Sequence, residues 1–256
     1  MTPPIVIAPQ APPADMMSSA KPAAAPNWLL KTAMAATGTA LAVMLVIRLV
    51  VNVWFLTGMA NYDVVTTRIA KVFTPYVPAG TWLWIIRVVA LLLIAAHVAI
   101  GVVLVLRAAS HAGVHTKLHG GWHAWLTRLM PYTGGIVLLF SVFYVLDQVF
   151  HVVVAPWTDI DPGFSPNVDP AFGNSSMQLV NSLSHPWIAA CYIIGLLAIA
   201  AHVLHGLGTV ITIAAGGGQW ASQMKRWLVW IGGAVVGALL LASLFIPIGV
   251  LGGWLR

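Results

Sequence analysis

Trp82-Leu83-Trp84-Ile85-Ile86-Arg87-Val88-Val89-Ala90-Leu91-Leu92-Leu93-Ile94-Ala95-Ala96-His97-Val98-Ala99-Ile100-Gly101-Val102-Val103-Leu104-Val105-Leu106 contains only two ionisable side chains, Arg87 and His97. About 20 apolar residues suffice for a helix to cross a bilayer, so this run is long enough to span with some tilt. It is continuous rather than alternating, which argues for a helix and against a barrel strand. Working outward, spans fall at about 28–56, 80–108, 127–155, 184–214 and 225–252. The expected fold class is all-α: a polytopic membrane protein built as a five-transmembrane-helix bundle over residues 28–256.

The composition agrees. Of 256 residues, 60% are hydrophobic and 7% charged, with a mean hydropathy of +0.91. A soluble domain carries about 25% charged residues, so a soluble enzyme, a nucleic-acid module and a secreted disulfide scaffold are excluded. Cys191 is the single cysteine. It cannot form an internal disulfide or alone hold a cysteine-based zinc or iron–sulfur site, and it reads as a small core residue. All six acidic residues are aspartates. Residues 1–27, rich in Pro, Ala and Ser, read as a disordered cytoplasmic tail.

Seven of the twelve Lys and Arg residues (Lys21, Lys31, Arg107, Lys117, Arg128, Lys225 and Arg226) fall on one side of the spans. The loop 156–183 has none and carries Asp159, Asp161 and Asp169. The positive-inside rule therefore places the N-terminus in the cytoplasm and the C-terminus outside, in a cell inner membrane. The net charge of +6 is mostly this loop charge, not a sign of nucleic acid. Trp28, Trp54, Trp82, Trp84, Trp157, Trp187, Trp227 and Trp254 lie near span ends, as interfacial anchors do. No internal repeat stands out, which counts against an inverted-repeat transporter.

Ionisable groups at membrane depth are costly and are suspects for function. From about 1.5 Å of rise per residue, His97 lies roughly 15 Å and His202 roughly 18 Å from the cytoplasmic ends of their spans. The two share a level, flanked by small residues in Ala95-Ala96-His97 and Ala200-Ala201-His202, and read as a metal ligand pair. The competing reading is that each merely bonds a carbonyl or hydroxyl on a neighbouring helix. His205, one turn from His202, is a substitute ligand or a support from behind it. Arg48, Arg87, Asp147 and His151 fall in the outer half. An Arg–Asp147 ion pair is the structural expectation there, and a polar pocket for quinone or protons the functional one. His111, His115, His119 and His123, spaced by four, would share a helix face, but no thiol or carboxylate joins them. They read as a solvated or partner-facing loop.

Lys31-x-x-Met34-Ala35-x-Thr37-Gly38 in the first span and His202-x-x-x-Gly206 in the fourth carry a resemblance. The chain resembles the single-chain membrane anchor of succinate:quinone oxidoreductases and fumarate reductases (complex II) over about residues 28–252. In that family four histidines ligate two b-haems. The resemblance implies that His97 and His202 hold the proximal centre. His151 stands for the third-span ligand of the distal haem, whereas the first span carries Arg48 where the family has histidine. An arginine stays protonated and cannot ligate iron, so a bis-histidine distal haem is not available.

The resemblance thus implies one iron centre at His97 and His202. It is either a single b-type haem or a Rieske-type 2Fe–2S cluster whose thiolates come from a partner subunit. It also implies an iron–sulfur subunit and a flavoprotein on the cytoplasmic face, with electrons from succinate passing to a membrane quinone. The chain itself shows no flavin motif and no succinate site. Trp28, Lys31 and Thr37 are quinone candidates near the iron–sulfur subunit, and Arg48 and Arg87 candidates for an outer site. Other expectations are a cytochrome b anchor of a hydrogenase or formate dehydrogenase, or a proton-coupled transporter. The quinone type, direction of reaction and any higher oligomer are left open.

Overall fold

The computed structural model describes residues 25–111, 122–154, 175–214 and 219–255. Seven helices and no strand occur among them: α1 (Asn27–Leu56), α2 (Met59–Ala70), α3 (Thr81–His111), α4 (Trp122–Gln148), α5 (Ser175–Leu183), α6 (Pro186–Ala214) and α7 (Gln219–Leu251). Five are long and apolar enough to cross a membrane: Asn27–Leu56, Thr81–Ser110, Arg128–Gln148, Pro186–Ile211 and Gln223–Leu251. The expected all-α, five-span class is therefore the observed one. The expected tail over 1–27 lies mostly outside the described residues, as do His115, His119, Asp159, Asp161 and Asp169.

The third span departs from expectation. It stops at Gln148, not near 155, although Val149–Val154 is almost wholly apolar. Phe150 N–H donates to the Val145 carbonyl and Val152 N–H to that of Leu146, while His151 takes φ = 52°. These bonds satisfy the last carbonyls through a left-handed residue, which closes a helix. Hydropathy cannot register such a stop. His151 consequently lies past the end of α4, with Nδ1 3.1 Å from the Asp147 carbonyl oxygen.

Helix α1 is central, packing on α3, α6 and α7, while α6 packs on α4 and α7. Two segments read from sequence as loops contain the short helices α2 and α5, which pack on each other across one end of the bundle. This is the capped end of the bundle, and the opposite end is open. Asp63 of α2 is fully buried and accepts hydrogen bonds from the Ser176 backbone N–H and hydroxyl at the start of α5. A carboxylate there satisfies orphan helix donors and meets the positive end of the dipole. Burial still pushes the Asp63 carboxyl up to about 6, against the pull of its bonds to Ser176 and Ser175.

Burial is uneven along the bundle. Phe55, Tyr62, Leu183, Ile188, Tyr192 and Ile246 form a core at the capped end, with Leu49, Ile199, Val236 and Leu240 just beneath it. Toward the open end, no described residue of α1 before Leu49, of α6 after Ile199 or of α7 before Val236 is buried. In lipid, apolar surface gives helices little reason to associate, so close contacts and hydrogen bonds hold them. Gly195 supplies one such contact: a Cβ there would lie 2.3 Å from the Phe140 ring, so its absence lets α4 and α6 close up. Most interfacial tryptophans are exposed, Trp28, Trp54, Trp84, Trp187, Trp227 and Trp254 among them. Trp82 instead donates from Nε1 to the Ile69 carbonyl, 2.8 Å away, and fastens α2 to α3.

Candidate metal centre

His97 of α3 and His202 of α6 face each other in the loosely packed half, with ring centres 6.4 Å apart and planes at 75°. Each ring is held by a threonine from the adjoining helix. Thr37 Oγ1 of α1 lies 2.9 Å from His97 Nδ1, and Thr133 Oγ1 of α4 lies 3.3 Å from His202 Nδ1. Both threonine hydroxyls donate to backbone carbonyls of their own helices, Thr37 to Ala33 and Thr133 to Met130. Each oxygen is thereby turned to accept from the imidazole, which puts the proton on Nδ1 and leaves the Nε2 lone pair open to a ligand.

Glycines make room for these rings. A Cβ on Gly38 would stand 3.0 Å from His97 Cε1, and one on Gly134 3.1 Å from His202 Cε1. One turn past each histidine a methionine methyl takes a similar place: a Cβ on Gly101 would lie 3.4 Å from Met34 Cε, and one on Gly206 3.9 Å from Met130 Cε.

The correspondence is an internal repeat that the sequence reading missed. Leu91-Leu92-Leu93-Ile94-Ala95-Ala96-His97-Val98-Ala99-Ile100-Gly101 and Leu196-Leu197-Ala198-Ile199-Ala200-Ala201-His202-Val203-Leu204-His205-Gly206 differ only at Leu93/Ala198, Ala99/Leu204 and Ile100/His205. Met34-Ala35-Ala36-Thr37-Gly38 and Met130-Pro131-Tyr132-Thr133-Gly134 share Met-x-x-Thr-Gly. The units α1–α2–α3 and α4–α5–α6 have the same long–short–long order and direction. The repeat is therefore parallel, with its pseudo-two-fold along the bundle.

Magnitude separates two ways in which the pair could hold one metal. With about 2.0–2.1 Å per metal–imidazole bond and about 1.1 Å from nitrogen to ring centre, trans ligands put ring centres about 6.3 Å apart. Two imidazoles on one tetrahedral ion would bring them to about 5 Å. The observed 6.4 Å matches the trans arrangement. An ordinary edge-to-face ring contact has a similar separation. The duplicated threonine and glycine supports fix both rings in place, and each histidine bonding a hydroxyl on a neighbouring helix is also what the competing reading expects. Among the described residues no group of three His, Cys, Asp or Glu that could hold a metal ion gathers here or elsewhere. His205 stands one turn from His202 on α6, and the ring facing His97 is that of His202. Cys191 is three turns away on α6 and half-buried.

The repeat also orders the polar layer toward the capped end. Eleven residues after the threonines stand Arg48 and Tyr144, and ten before the histidines stand Arg87 and Tyr192. The pseudo-symmetry partner of Arg48 is thus Tyr144, not His151. Arg48 Nη2 donates to the Tyr62 hydroxyl, 3.0 Å away, and its guanidinium lies 5.9 Å from the Tyr62 ring centre and 5.8 Å from that of Tyr144. Arg87 lies 4.6 Å from the Trp84 ring centre.

The expected Arg48–Asp147 pair is replaced by neutral donors. Asp147 is fully buried and takes bonds from Ser182 Oγ (3.0 Å), Gln148 Nε2 (2.8 Å) and the Tyr192 hydroxyl (2.8 Å). Of the residues expected near quinone, Thr37 is committed to His97, while Trp28 and Lys31 are exposed at the open end of α1. Arg107 ties α3 to that end through Asn27 Oδ1, 2.7 Å away. Compared with family models, curated proteins and solved structures, the chain finds no match.

Proposed function

We propose that the chain is the membrane anchor of a succinate:quinone oxidoreductase, holding a single b-type haem between His97 and His202. The observation that carries this reading is the pair of threonine-fixed imidazoles from α3 and α6, their ring centres 6.4 Å apart, which would hold the group between them. A bound haem would supply one-electron relay. The protein's own part is to hold both imidazoles by Thr37 and Thr133, to keep Gly38 and Gly134 out of their way, and to seat the centre in the less buried half of the bundle. A Rieske-type cluster fits less well, because both histidines would ligate one iron at the shorter separation.

In this reading the open end is cytoplasmic. Lys31, Arg107, Arg128, Lys225 and Arg226 lie on its side and present a basic face to the iron–sulfur and flavoprotein subunits. Trp28 and Lys31 then flank the quinone's approach, where an ammonium can donate to a quinone carbonyl. Arg48 stands where a second ligand would be needed, so electrons stay on one side of the membrane.

Affinity purification of the tagged chain from membranes tests the assignment. Co-purification with a flavoprotein and an iron–sulfur subunit, and succinate-dependent quinone reduction by the preparation, is the expected result. Recovery with hydrogenase or formate dehydrogenase subunits would overturn it, and so would an isolated chain that moves protons without redox activity.

A further inference from the structure

Arg48 stands eleven residues past Thr37 on α1 and Arg87 ten before His97 on α3, so the Thr37–His97 contact sets both cations at about one level of two packed helices. Their close partners are aromatic: Tyr62 and Tyr144 for Arg48, Trp84 for Arg87. Among the described residues neither is paired with a carboxylate, and Asp147 spends its oxygens on Ser182, Gln148 and Tyr192. Arg48 Nε is buried with no partner, as is one amide atom of Asn52 a turn along the same helix. An unmet guanidinium N–H in such surroundings is expensive.

Both groups lie toward the capped end of the bundle. Arg48 extends to Tyr62 on α2, beyond the end of its span, and Arg87 lies over Trp84, one turn nearer the end of α3. Arg87 and Trp84 are exposed on the lipid-facing side of the bundle, which gives a way in.

We propose that Arg48 and Arg87 form a binding site for a phosphate-class oxyanion at the capped end of the bundle, entered beside Trp84. A neutral quinone offers carbonyl acceptors but leaves two like charges uncompensated. A phosphate compensates them and matches the donor fork of a guanidinium. The phosphate of a phospholipid and the free ion share this chemistry. The site does not depend on the redox reading, and its test reads neither metal nor activity.

The test is native mass spectrometry of the complex as purified in mild detergent, comparing wild type with Arg87→Gln, Arg87→Lys and Arg48→Gln. Wild type retains a phosphate-bearing adduct through delipidation, Arg87→Gln lowers its occupancy at least about fivefold, and Arg87→Lys restores part of it. Because Arg48 is central to its end of the bundle, the decision rests on the Arg87 variants. In a second arm, complex stripped of the adduct by prolonged washing in a harsher detergent is heated with inorganic phosphate or with phosphatidylglycerol vesicles. Arg87-dependent stabilisation by the vesicles alone identifies a lipid, and by inorganic phosphate the free ion; either supports the site. Equal adduct and equal stabilisation in wild type and Arg87→Gln would overturn it. So would a retained quinone, with no phosphate, that depends on Arg87.

Discussion

The two repeat units agree at one level of the bundle and part at the next. At the histidine level, Thr37, Gly38, His97 and Gly101 have counterparts in Thr133, Gly134, His202 and Gly206, making the same contacts. About three turns toward the capped end, the first unit contributes Arg48 and Arg87, and the second Tyr144 and Tyr192. Identical partners suit a task shared between the units, such as two ligands on one metal. Divergent partners suit a polar clamp in which cations face phenols. The levels also differ in burial: the capped end has the core and the Asp147 network, while the histidines sit where few side chains are buried.

The largest effect should come from breaking the capped end. Asp147→Leu leaves Tyr192, Ser182 and Gln148 without their common acceptor, and should cost about 4 kcal/mol at 1–3 kcal/mol for each stranded donor. Thermal unfolding in detergent would show it, with the histidine level affected only through loss of fold.

Asp63 gives a pH-dependent effect at the same end. Its carboxyl goes from 3.8 to about 6 on folding, so between those values the folded state holds the extra proton. Its contribution is greatest below 3.8 and is lost as pH rises through 6, a swing of no more than about 3 kcal/mol at 1.36 kcal/mol per unit. Melting at pH 5 and pH 7.5 should show the loss, and Asp63→Asn should flatten it.

The histidine level is sharpened by paired variants. Thr37→Val and Thr133→Val should each weaken metal retention about 10–100-fold without unfolding the chain. Thr37 should matter more, since its contact is 2.9 Å against 3.3 Å. Iron per chain after timed chelation measures this. Gly38→Ala and Gly134→Ala should have small and nearly equal effects, about 1 kcal/mol of stability, as each new methyl meets a histidine ring at 3.0 or 3.1 Å. Unequal glycine variants would break the claimed equivalence of the units.

The spans were readable because runs such as Trp82–Leu106 admit no other structure. The end of the third was not, since its stop lies in backbone bonds around His151 rather than in polarity. Helices α2 and α5 escaped notice because both are short and lie between spans, where Asp63 and Ser176 join them and Tyr62, Leu179 and Leu183 tie them into the core. His97 and His202 were found by counting depth. Thr37 and Thr133 were not identified as their supports, because depth does not say which helices adjoin. The repeat was the available signal: Met-x-x-Thr-Gly and Ile-Ala-Ala-His-Val-x-x-Gly each occur twice. Unequal linkers between the matched segments hide it from a fixed-period search.

The most direct test is a dithionite-reduced minus oxidised visible spectrum of the purified complex, repeated with His97→Ala and His202→Ala. The account predicts one sharp b-type α-band, lost in both variants, with the chain still folded and inserted. A complex that reduces quinone without that band, or a band that survives both substitutions, would contradict a haem held by His97 and His202.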